Sequence, residues 1–161
     1  MRKILFTVLL CLISAMTARA APDKKATLEA IRVIESSPKG EGIVEALQVV
    51  LQFADESPDV VMLASPEAMP WFQEKWKLKK AESEAVKALL MASYSAGVIG
   101  HQLKIGKADK NPYIGWLRVI ERYEVAKDVW KFESPGIQKL IALQKEGKLE
   151  AYAAEVSAKQ K

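Results

Sequence analysis

The stretch Ser93-Tyr-Ser-Ala-Gly-Val-Ile-Gly-His-Gln-Leu103, SYSAGVIGHQL, places two glycines and the chain's only histidine inside a segment, Ala81 to Ile105, that otherwise has the spacing of one long helix. On a wheel of about 100° per residue, Val86, Leu89, Leu90, Ser93, Ala96, Gly97, Gly100 and Leu103 fall on one broad stripe. The large side chains come first and the small ones follow on the same face, so the glycines continue the core-facing side. A glycine costs a helix interior up to about 1 kcal/mol relative to alanine, and a close pair of them calls for an offsetting gain. Close approach of another helix backbone along Ser93, Ala96, Gly97 and Gly100 supplies one, so a close-packed helix crossing is expected here. The opposite face, Met91, Ser95, Val98, Ile99 and Gln102 beside Lys87, has thin polar cover. This helix is expected to be the most buried of the domain.

His101 lies at the edge of the small-residue stripe. As a functional group it would be a base, a ligand or a pH sensor; as a structural one, a partly buried imidazole with a hydrogen-bonded neighbour. No partner set accompanies it, which favours the structural reading. Zinc needs three or four ligands, usually several of them His or Cys. With one histidine and one cysteine in the chain, no metal and no cofactor is expected.

Helical spacing also governs the flanks. Leu28, Ile31 and Ile34 mark a helix over Lys24 to Ser36, and Ile43, Leu47, Val50, Leu51 and Ala54 mark another from about Ile43 to Glu56, with the breaker-rich turn Pro38-Lys-Gly-Glu-Gly42 between them. Residues 57–72 form a Pro-rich irregular segment holding Pro58, Pro66 and Pro70. Its Ser-Pro pairs resemble helix starts, and Val60-Val-Met-Leu63 reads as a strand or as a buried helical turn. Gly106 closes the long helix, Asn111-Pro112 starts the next, which runs to about Lys131, and Ser134-Pro135 starts another that Gly147 interrupts. A weak last helix over Lys148 to about Ser157 leaves a frayed tail from about 158. The fold class is all-α: an irregular single-domain bundle of about five to seven helices.

The N-terminal residues MRKILFTVLLCLISAMTARA pair a basic start with an apolar run from Ile4 to Met16 and a small-x-small ending, the pattern of a signal peptide over residues 1–20. The expectation is export to a periplasmic or extracellular compartment, with residues 21–161 as one helical domain. Cys11 lies in that leader, so the mature domain has no thiol and no disulfide. Arg2, Lys3 and Arg19 also leave with it, so 24 − 3 = 21 basic residues remain to face the 20 acidic ones. Nucleic-acid binding, which requires a cationic surplus, loses its support. Beyond the leader no segment reaches the roughly 20 apolar residues of a membrane span.

Chemistry-bearing patterns are sparse. No G-x-S-x-G elbow, phosphate loop or dinucleotide fingerprint occurs. Glu121 and Glu124 share a helix with Arg118 and Arg122 at a spacing that suits a solvated ion-paired face better than a glycosidase acid pair. The strings Lys75 to Lys80 and Lys104 to Lys110 suit weak contact with an anionic surface. Bulky rings gather where loops meet helices: Trp71, Phe72 and Trp76 in one place, Tyr113 and Trp116 in another. They either fill gaps between uneven helices or form a recognition patch with His101. The expected function is that of an exported, non-enzymatic helical protein binding another protein or an envelope component. The alternatives are a carrier of a small apolar ligand in an inter-helix cavity and, less favoured, a hydrolase.

Overall fold

The computed structural model describes residues 22–37 and 41–159. The proposed signal peptide, the centre of the first turn and the last two residues lie outside the described residues. Among those described there are six helices and no strand: α1 (Lys24–Ser36), α2 (Ile43–Glu56), α3 (Lys80–Ile105), α4 (Tyr113–Trp130), α5 (Pro135–Lys145) and α6 (Leu149–Ala158). The fold is an irregular all-α bundle, and no helix among the described residues is long and apolar enough to cross a membrane.

The bundle is organised by α3, which is buried without a break from Leu89 to Ile99. It pairs with α4 in antiparallel register, Gly97 meeting Gly115 while Ser93 meets Arg122. A Cβ on Gly97 would stand 2.9 Å from the Ile114 carbonyl oxygen and 3.0 Å from the Gly115 Cα, so the two backbones touch. A Cβ on Gly115 would lie 2.5 Å from the Tyr94 ring. Gly100 does something different: its open side faces the Ile31 methyls at 3.6 Å, and it receives α1. The α1–α2 hairpin packs on α3, while α5 and α6 pack on α4.

Local chemistry accounts for the helix ends. Asp23 Oδ1 accepts from the Ala26 amide at 2.7 Å, Asn111 Oδ1 from the Tyr113 amide at 2.9 Å, and Ser134 Oγ from the Ile137 amide at 3.3 Å ahead of Pro135. Gly106 closes α3 in the left-handed conformation, with φ at 66°. The last helix is docked rather than loose, since Leu149, Ala153 and Val156 are buried.

The Ser57–Lys79 connection corrects two expectations. Val60 to Leu63 form neither strand nor helix. The buried Gln102 amide serves Val61 as a neighbouring strand would: Nε2 donates to the Val61 carbonyl at 2.7 Å and Oε1 accepts from the Val61 amide at 2.8 Å. The two Ser-Pro pairs start no helix. Ser65 Oγ caps the Ala68 amide at 3.2 Å, and Pro70, without an amide hydrogen, breaks the series, so that only a separate tight turn follows, in which the Phe72 amide donates to the Met69 carbonyl at 3.0 Å. The segment is held across the core by Tyr94 Oη donating to the Leu63 carbonyl and Trp116 Nε1 donating to the Ala68 carbonyl.

Candidate functional site

The aromatic residues divide into two groups. Trp71 and Trp116 are fully buried. Trp71 meets Tyr94 edge to face at 5.8 Å, and Trp116 stacks on Tyr152 at 5.4 Å. These two rings fill the space between the irregular segment and the α3–α4 pair, where no external partner reaches them. Tyr113 is half-buried at the first position of α4 and packs against the core. His101 is half-buried, finds no hydrogen-bond partner among the described residues, and belongs to no group of metal-ligating side chains among them. Thus Trp71, Trp116 and His101 do not line a common cavity.

Phe72 and Trp76, in contrast, are half-exposed and share one cation, with Lys87 Nζ 5.9 Å and 5.6 Å from their ring centroids. Trp76 is fixed twice over. Its Nε1 donates to Glu74 Oε2 at 2.9 Å, and its ring lies 4.8 Å from that of Phe132. Glu74 spends its other oxygen on the Gly136 amide at 2.6 Å, placing a carboxylate at the positive end of α5. A Cβ on Gly136 would fall 2.8 Å from that oxygen, so the glycine keeps the contact open.

Phe132 carries this aromatic ledge into a broad open groove of about 680 Å³ between the C-terminal half of α4, the 131–134 link and α5. Ile141 and Ala142 supply its accessible apolar surface, and the buried rings of Tyr123 and Phe132, meeting edge to face at 5.4 Å, back its floor. Around them stand Lys127, Lys131 and Lys145 against Glu124, Asp128 and Glu133, a rim of balanced charge. Lys131 adopts the left-handed conformation at φ 52°, unusual for a residue with a side chain, as the chain leaves α4 and turns into the groove wall.

A second, smaller cleft of about 210 Å³ opens between α1, α3 and α4. Glu121 lines it and Glu124 lines the groove, so the two carboxylates work at separate places. Glu121 pairs with Arg118 at 3.0 Å and Glu124 with Lys127. The small-residue face also divides: Gly97 receives α4, Gly100 receives α1, and Ser93 and Ala96 line the cleft.

The cleft carries no local motif, because its walls come from α1, α3 and α4, far apart in the chain, whereas the groove is built within residues 123–145 by two consecutive helices and their link. A sequence signal for the groove exists only in part, as the bulky residues Trp76, Tyr123 and Phe132 on otherwise polar stretches. Compared with known protein families, curated proteins and solved structures, the chain finds no match.

Proposed function

We propose that this is an exported, non-enzymatic helical protein that binds another protein or an envelope component through the α4–α5 groove and the Phe72–Trp76 ledge beside it. The observation that carries the reading is the groove itself: Ile141 and Ala142 over a floor backed by the buried rings of Tyr123 and Phe132, inside a rim of three lysines and three acids. Protein recognition surfaces combine an apolar centre with a polar rim, and aromatic residues are enriched at their centres. Balanced rim charge suits a protein surface better than a polyanion, which would call for a cationic excess. Export is supported by the basic, apolar and small-residue order of residues 1–20.

The test is site-specific photocrosslinking from Gln138, an exposed groove position, in the native envelope, with Lys25 on α1 as the control position. A partner joined from Gln138, absent from Lys25 and lost on Ile141→Asp is the expected result. No adduct from Gln138, or equal adducts from both positions, refutes the assignment. Cell fractionation tests export separately, and a full-length chain retained in the cytoplasm refutes that part.

A further inference from the structure

Arg122 stands on α4 with its guanidinium at the junction of three helices. Its terminal nitrogens donate to the Ile34 carbonyl at 2.7 Å and the Ser37 carbonyl at 3.0 Å, and Nε donates to Ser93 Oγ at 3.3 Å. A guanidinium has five N–H donors, so these contacts leave two unused. All three acceptors are uncharged. The carbonyls at the end of α1 offer the negative pole of a helix, yet no carboxylate of the described residues lies within ion-pair distance of Arg122. Burial accordingly pulls the Arg122 pKa below its ordinary value, and the field of Glu121 acts the other way.

This cation lines the small cleft, beside Ser93, with exposed Val125 as an apolar wall and the buried Ile34 and Ala96 at its floor. Arg118 also lines it, held between Glu35 at 3.5 Å and Glu121 at 3.0 Å. The cleft therefore combines a partly buried cation without a counter-ion, a neighbouring hydroxyl, a short apolar wall and floor, and two carboxylates already engaged with another arginine.

We propose that this cleft binds a small organic monocarboxylate with a short apolar body, its carboxylate on Arg122 and its hydrocarbon against Ile34, Ala96 and Val125. A partly desolvated guanidinium gains most from a carboxylate, and one N–H on each terminal nitrogen of Arg122 remains to donate to it. A volume of about 210 Å³ suits a ligand of a few carbons and excludes a long acyl chain. Glu35 and Glu121, both paired with Arg118, place fixed negative charge beside the cleft, which opposes a dianion more strongly than a monoanion. Either a simple short-chain acid or an α-amino acid presents this chemistry. They differ in whether an ammonium group engages Glu35 or Glu121.

Shift mapping by two-dimensional NMR on the purified full chain tests the proposal, with butyrate, 2-aminobutyrate and butylamine as probes. Butyrate or 2-aminobutyrate should move the Ser93 and Ala96 amides and the Arg122 Nε–H signal in a saturable way, with a Kd in the millimolar range suited to so small a ligand. A preference for 2-aminobutyrate identifies the amino-acid form; a preference for butyrate identifies the simple acid. Arg122→Met removes the cation but also two ties to α1, so the decisive variant is Val125→Trp, which fills the cleft from an exposed position. It should weaken binding by at least about tenfold, or 1.4 kcal/mol, with an unchanged melting temperature. No saturable shift with either acid, an equal response to butylamine, or undiminished binding in Val125→Trp overturns the proposal.

Discussion

Three alanine substitutions should rank in an order that helix propensity alone does not predict. At each glycine the new methyl recovers up to about 1 kcal/mol of propensity. At Gly100 that gain is nearly free, because the nearest atoms are Ile31 methyls at an ordinary 3.6 Å, so Gly100→Ala should stabilise the protein by about 0.5–1 kcal/mol. At Gly97 the methyl would press on the Ile114 carbonyl oxygen at 2.9 Å and the Gly115 Cα at 3.0 Å, and backbone of a packed helix cannot step aside as a side chain can. Overpacking costs about 1–3 kcal/mol, and against backbone on two sides the upper half of that range applies, so that after the propensity gain Gly97→Ala is a net loss of about 1–2 kcal/mol. At Gly115 the contacts shorten to 2.5 Å with Tyr94 and 2.6 Å with Val98, both buried, so Gly115→Ala should lose more than Gly97→Ala.

Urea unfolding measures the order, provided the slope stays constant and only the midpoint moves. With a slope of about 2 kcal/mol per molar, Gly97→Ala should lower the midpoint by about 0.5–1 M and Gly100→Ala should raise it by about 0.3–0.5 M. If Gly97→Ala matched or exceeded Gly100→Ala in stability, the backbone contact between α3 and α4 would be refuted as the reason for Gly97.

Gln102→Leu should cost about 3 kcal/mol, because it strips partners from both Val61 backbone groups and from the Asp109 amide; hydrogen exchange at Val61 should quicken, and protection equal to the parent would count against the clip. His101→Ala should change stability by less than about 0.5 kcal/mol, since the ring is half-buried and makes no hydrogen bond among the described residues; a loss several times larger in thermal unfolding would show a hidden partner. Burial pushes the Tyr94 phenol well above the ordinary value of 10.0. The folded state then keeps its proton where the unfolded chain gives it up, so stability should hold below about pH 10 and fall as pH rises above it; Tyr94→Phe should flatten that fall in an alkaline unfolding series, and an unchanged slope would contradict the assignment.

The fold was legible wherever spacing and caps act locally. Periodic leucines and isoleucines mark α1 and α2, while Gly106, Asn111 and Ser134-Pro135 punctuate the rest, because each device works within a few residues of itself. The Ser57–Lys79 connection resisted reading for the opposite reason. What shapes Val61 is an amide 41 positions away, and what holds Ala68 is an indole 48 positions away. A wheel also treats a helix as having one inner face, whereas α3 is enclosed by α1, α2, α4 and the connection, and its small residues serve different neighbours.

The aromatic residues show why composition could not locate the site. Trp71 and Trp76 are five positions apart in the same Ser57–Lys79 connection, yet the first is fully buried and the second stands half-buried on the surface ledge. The difference comes from partners outside the segment: Tyr94 of α3 encloses Trp71, whereas Glu74 and Phe132 hold Trp76 at the edge of the groove. The same logic applies to arginines. Arg118 and Arg122 are one helical turn apart and look alike as halves of an ion-paired face, but only Arg118 finds carboxylates. Arg122 reaches an acceptor 88 positions away in α1, and its charge is left facing a cleft with no counter-ion in contact. Binding chemistry in this molecule therefore resides in unequal partners given to like residues, which only tertiary structure assigns.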